Sequence, residues 1–146
     1  MRRTVWLLAG VLLCVLMLGS DSPKEYDDTT IVSIDGTWQL IEGEYRGQKT
    51  KPRHQEVMTL HDGTYTYQSD NSIYRGTYRI DPVRKPPHLD WVRSNGDRPG
   101  KTLLFIYQID GDTLRTGLMT SVNDRQRPQG FNGPDVFVQT YKRLKK

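Results

Sequence analysis

The chain changes character twice along its length. Behind Arg2 and Arg3 runs an apolar stretch that lasts to Leu18; Asp21–Ile34 is then polar, acidic at first and without a clear period. From Asp35 onward, short apolar or aromatic runs are separated by turn residues. After the leader, apolar residues do not recur at helical spacing over any convincing length, whereas alternation of period two recurs often. In Ile73–Ile80, Tyr74, Gly76, Tyr78 and Ile80 share one face, and Arg75, Thr77 and Arg79 share the other. In Thr64–Gln68, Tyr65 and Tyr67 alternate with Thr64, Thr66 and Gln68; in His88–Arg93, Leu89 and Trp91 oppose His88 and Asp90. The arginine face belongs in water, so the inward face is rich in tyrosine and tryptophan.

This pattern predicts eight strands: Thr37–Tyr45, Val57–His61, Thr64–Gln68, Ile73–Ile80, His88–Arg93, Thr102–Ile109, Thr113–Thr120 and Asp135–Arg143. Asp62-Gly63 and Asp110-Gly111 suit tight hairpins with positive φ at both central positions, and Asp70-Asn71 is a weaker signal of the same kind. The three prolines of Asp81–His88 cannot donate to a ladder and place that segment in a loop or at an edge. Sequential hairpins without crossover helices predict an all-β, antiparallel up-and-down barrel, because closing the sheet removes exposed edges. A two-sheet sandwich is the architectural alternative.

The leader reads as residues 1–20, a secretory signal of two arginines, an apolar run and small residues, too short to span a membrane comfortably. An uncleaved anchor is the alternative reading, and it is the one membrane attachment expected. Residues 21–34 then read as a linker, and 35–146 as a single domain. The one cysteine, Cys14, lies in the leader behind Leu13, which is not the small residue a lipoprotein signal needs. Without the leader no disulfide, thiolate metal site or cysteine nucleophile exists, and the core alone must hold the domain. Both leader arginines belong to the 21 basic residues, which leaves 19 against 17 acids, a charge of +2. The single basic cluster is the tail Tyr141–Lys146, so nucleic-acid binding is not expected.

Motifs that carry chemistry are thin. Gly100-Lys101-Thr102 resembles the end of a phosphate loop, but Asn95 stands where its first glycine belongs and a strand follows. Asp110–Thr113 lacks the spaced ligands of a calcium loop and reads as a turn. His54, His61 and His88 fall on separate segments with no metal spacing, and no Gly-x-Ser-x-Gly occurs. Glu42 and Glu44 share a strand face and read as an outward pair. No enzyme activity, metal or cofactor is expected.

Several stretches resemble a domain family of unknown function, expanded in planctomycete bacteria and described as lipocalin-like. Gly36-Thr37-Trp38 resembles its opening, Gly76–Trp91 its Asp-Pro turn and Lys-Pro pair, and Gly100–Arg115 its Gly-Lys-Thr and Asp-Gly-Asp-Thr-Leu elements. Arg127-Pro128 with Phe131, and the closing Val136–Arg143, resemble further elements. Arg115-Thr116-Gly117 departs from it where many members carry a cysteine. The resemblance implies an eight-stranded, calycin-type barrel in an exported setting, periplasmic, envelope-bound or extracellular. It also implies a barrel closure in which Trp38, behind Gly36, packs across one end under Arg143 or Lys142. It brings no catalytic residues.

Tyr65, Tyr67, Tyr74, Tyr78 and Trp91 are the candidate pocket lining, since small-molecule sites are mostly apolar with a few polar handles. Whether these rings line a pocket or fill the core stays open at this point. The expected function is non-enzymatic binding of a small amphipathic or hydrophobic molecule. The alternative is a protein-interaction or envelope-structural domain whose loop 123–134 meets a partner through Arg125, Arg127 and Phe131.

Overall fold

The computed structural model describes residues 32–120 and 125–145. The leader, most of the linker and the start of loop 123–134 lie outside the described residues. Nine strands follow one another: β1 Gly36–Tyr45, β2 Gln48–Thr50, β3 Glu56–His61, β4 Thr64–Ser69, β5 Ser72–Asp81, β6 His88–Arg93, β7 Thr102–Asp110, β8 Thr113–Met119 and β9 Val136–Arg143. Each long strand pairs antiparallel with the next, and β9 returns to β1. The result is a closed, antiparallel, eight-stranded barrel with β2 as an added edge strand. It is the up-and-down barrel that the alternation and hairpins predict, and it is consistent with the lipocalin-like barrel that the resemblance implies.

The ninth strand corrects the sequence reading, which carries the chain from Tyr45 to Val57 as a connection. Arg46 and Gly47 both take positive φ, 51° and 74°, which is the tight hairpin turn that folds Gln48–Thr50 back onto β1. Glycine meets that demand freely; an arginine there is an uncommon choice, which hides the turn in the sequence. Asp62-Gly63 forms the expected turn, with φ of 45° and 74°. At the predicted Asp110-Gly111 turn the pairing of Asp110 with Thr113 makes Gly111-Asp112 the central residues, and only Gly111, at 53°, has positive φ there. That geometry needs glycine at the first central position alone.

The inward face carries Trp38 and Leu40 of β1, Met58 and Leu60 of β3, Tyr65 of β4, Leu89 and Trp91 of β6, Phe105 and Tyr107 of β7, Leu114 of β8 and Tyr141 of β9, all buried. Ile34, ahead of β1, is 1 % exposed and joins the same cluster, so packing reaches one residue beyond the Asp35 start of the sequence-derived domain. β1 shifts register against β9 between Leu40 and Glu42, and the extra residue, Ile41, points to solvent.

Gly76 shows why the aromatic interior fits. A Cβ there would stand 1.9 Å from the Val92 carbonyl oxygen and 2.8 Å from the Tyr65 ring. Its absence lets Tyr65 lie close against β5 and stack on Trp91, ring centroids 4.5 Å apart and 19° from parallel.

A second apolar cluster lies outside the barrel. Ile106, Val136 and Val138 belong to the opposite parity from the core residues of β7 and β9, yet all are buried. The segment 125–135 runs over them as a strap. Phe131 comes within 3.3 Å of the position a Gly117 Cβ would take, next to Ile106, and the Arg115 guanidinium stands 4.8 Å above the Phe131 ring. Arg127 pins the strap. It donates to the Asp90 carboxylate and to the carbonyls of Phe105 and Leu89, with 15 % of its side chain exposed.

Candidate functional site

One end of the barrel is shut. The Arg143 guanidinium lies 4.1 Å from the Trp38 ring centroid and donates to the Asp35 carbonyl. Trp38, at 0 % exposure, donates its indole N–H to the Ile34 carbonyl at 2.9 Å. Gly36, at φ 144°, brings its backbone close under the Arg143 guanidinium, where a Cβ would sit 2.4 Å from Nη1. The cation over Trp38 is therefore Arg143; its neighbour Lys142 points outward on β9 and is exposed.

Tyr78 belongs to this shut end. It pairs across the ladder with Trp91, but its hydroxyl donates to the Asp35 carboxylate and not into the aromatic pocket. Burial first, and then the Asp35 carboxylate, push its pKa up to about 12. The second oxygen of Asp35 accepts from the Asp62 backbone N–H at 3.4 Å, and the His61 imidazole lies 3.3 Å from the Asp62 carboxylate. Donor atoms of Asp35, His61 and Asp62 thus come within 4.8 Å of one another. The turn at Asp62-Gly63 makes this grouping, which spacing along the chain does not show; each carboxylate in it already has a partner.

Towards the other end the interior is not completely filled. A pocket of about 240 Å³ enters between β4, β5, β6, β7, β8 and β9. Tyr65, Tyr67, Tyr74 and Trp91, four of the five residues predicted from alternation, line it, and Tyr78 does not. Phe105 closes on the far side of Trp91, centroids 4.7 Å apart, while Leu103, Leu118 and Phe137 complete the apolar wall. Sequence reasoning misses these four and the two polar lining residues, Arg93 and Gln139. The signal is nonetheless present: Arg93 shares the parity of Leu89 and Trp91, and Phe137 and Gln139 share that of Tyr141.

The polar groups around the pocket are unevenly satisfied. The Tyr67 hydroxyl donates to the Glu56 carboxylate, and burial together with that carboxylate drives its pKa far above the ordinary phenol value. Two buried donors, the Tyr65 hydroxyl and the Trp91 indole N–H, have no hydrogen-bond partner among the described residues, whereas the buried Tyr141 hydroxyl lies beside those of Tyr67 and Thr116. Tyr65 and Trp91 are 3 % and 6 % exposed and both line the pocket. Burial raises the Tyr65 pKa and the nearby Arg93 charge opposes the rise, so Tyr65 remains a neutral donor. Arg93 itself stands over the Tyr74 ring at 5.0 Å and pairs with Asp97 at 3.2 Å.

Wider depressions of about 510, 600 and 610 Å³ lie on the outer wall, the first beside Arg98, Lys101 and Arg125 and the others against the strap. Among the described residues, none of them reaches the barrel interior or gathers unpartnered buried donors. No family model, curated protein or solved structure matches this chain.

Proposed function

We propose that this domain binds a small amphipathic molecule in the pocket between Tyr65 and Phe137 and performs no chemistry on it. One observation carries this reading: an apolar pocket enters the barrel interior with the Arg93 guanidinium and the Gln139 amide in its lining, and two of its wall residues, Tyr65 and Trp91, carry buried donors that lack partners among the described residues. Leaving a buried donor unpaired costs about 1–3 kcal/mol. Two of them in one pocket wall leave interaction energy that a side-chain movement on ligand entry can recover. The pocket's polar groups are phenols, an indole, an amide and a guanidinium, which hold a ligand in place. The size limits the ligand class: a cavity of about 150 Å³ already holds benzene. About 240 Å³ then takes one ring with a short substituent, below the roughly 300–1,000 Å³ of drug-sized sites.

The Arg2-Arg3 leader with its apolar run supports export, and so a place in the envelope or outside the cell. Membership of the lipocalin-like family, read from motifs such as Gly36-Thr37-Trp38 and Gly100–Arg115, forms part of the same proposal. The strap does not favour the protein-partner alternative, because Arg127 and Phe131 are spent on the barrel's own wall.

Native mass spectrometry of the protein, after incubation with a total small-molecule extract of its own cells, tests the binding reading. A discrete added mass is expected, retained weakly by Tyr65→Phe and lost in Leu118→Trp, which fills the pocket. An unliganded mass throughout, under conditions that preserve weak complexes, overturns the reading.

A further inference from the structure

The polar inventory of the pocket is lopsided. Trp91 Nε1–H can only donate, Arg93 can only donate, and the neutral Tyr65 hydroxyl has a proton to give. The Glu56 carboxylate, on the parity of Met58 and Leu60, accepts from the Tyr67 hydroxyl. The Gln139 amide both donates and accepts, so among the described residues the pocket's one fixed charge is the Arg93 guanidinium, and a charged acceptor gains most from it.

Arg93 is placed to accept such a guest. Its side chain is 24 % exposed, held on one side by the Tyr74 ring, while its acidic partner Asp97 is 76 % exposed in the β6–β7 loop. An ion pair with so exposed a carboxylate contributes little. An incoming carboxylate at the pocket mouth can replace Asp97 at small cost and meet a guanidinium already oriented by Tyr74.

We propose that the pocket selects small aryl or arylalkyl carboxylates, the ring against Trp91, Phe105 and Leu118 and the carboxylate on Arg93. This rests on the binding reading above. Size and charge act together: the ring fills the apolar volume between Leu103 and Phe137, and the headgroup stays at the mouth. A long-chain fatty acid exceeds the pocket, and a cation meets Arg93 with the wrong sign.

The test uses three probes of one shape, phenylacetate, its neutral amide phenylacetamide, and benzylamine, titrated into the intact protein with detection by tryptophan fluorescence and calorimetry. Phenylacetate should bind about tenfold or more tighter than phenylacetamide, the scale of one charge-assisted hydrogen bond over a neutral one. Arg93→Gln should bring phenylacetate down to the amide's level and leave the amide unchanged. Asp97→Asn, which removes the competing carboxylate from an exposed position, should tighten phenylacetate and not phenylacetamide. Equal binding of acid and amide, or preference for benzylamine, overturns the carboxylate assignment and leaves the pocket reading standing. Failure of all three probes at millimolar concentration in every variant overturns both.

Discussion

Tyr78 illustrates how one side chain's neighbours set a property of the whole fold. It shares its strand face with Tyr74, yet four residues along a strand is about 13 Å, enough to move it from the pocket to the shut end. There its hydroxyl donates to Asp35, and burial joins that carboxylate in raising the phenol's pKa to about 12. An unfolded tyrosine ionises near pH 10. Because the folded pKa is the higher, the stabilisation is fully present below pH 10 and is lost as pH climbs from about 10 towards 12. Tyr67 and Tyr141, both raised chiefly by burial, push the fold in the same direction at high pH. Urea midpoints of the wild-type and Tyr78→Phe proteins should therefore differ at pH 8 and converge as pH rises through that window. Other titrating groups cancel in the comparison, so a difference that stays constant with pH would show that Tyr78 does not ionise against Asp35.

The part-buried Arg127 is the strap's main anchor, beside the exposed Arg46 at its far end and Arg115 over Phe131, and the strap's stability should reflect that. Arg127→Ala leaves Asp90 and two carbonyls without their donor, a loss of about 2–3 kcal/mol on the scale of hydrogen bonds to charged groups. Arg125→Ala, at an exposed position two residues away, should be nearly neutral. Denaturant unfolding measures the first, and faster amide exchange at Ile106 and Val138 would show that the strap has lifted. The strands beneath this strap are legible in the sequence, and the strap is not. Alternation reports which residues share a face, so it groups Tyr65, Tyr67, Tyr74 and Trp91 correctly, and turn chemistry places Asp62-Gly63. Alternation is silent on height along the barrel, which is why it puts Tyr78 with the pocket. It also misjudges strands buried on both faces. Ile106, Val136 and Val138 break the inside–outside pattern because a loop, not a sheet, covers them, and a loop has no period to read. β2 escapes for a related reason: three exposed residues after an arginine-glycine turn carry no apolar signal.

At the scale of the molecule the barrel has two unlike ends, one shut by Trp38 and Arg143 and one that holds the pocket. An eight-stranded barrel is just wide enough for its own side chains. Bulky rings and Met58, Leu60, Leu89 and Leu114 pack the interior, and the pocket lies towards the Arg93 end. At the opposite end Trp38 is capped by Arg143, a contact worth roughly 0.5–2 kcal/mol, and Ile34 packs beside it. Trp38 and Trp91 are both nearly inaccessible, at 0 % and 6 % exposure, so water contact alone does not separate them. The pocket does, since among the described residues Trp91 lines it and Trp38 does not. Trichloroethanol, which quenches tryptophan by contact, reads this difference in a protein carrying Trp6→Phe, where only Trp38 and Trp91 emit. Adding Trp38→Phe should leave quenching strong, and adding Trp91→Phe should nearly abolish it. Phenylacetate added beforehand should protect Trp91 in proportion to its occupancy. Equal quenching of both tryptophans would mean that the barrel opens at both ends on the time scale of the collision, and the division into a shut end and a receptive end would have to be abandoned.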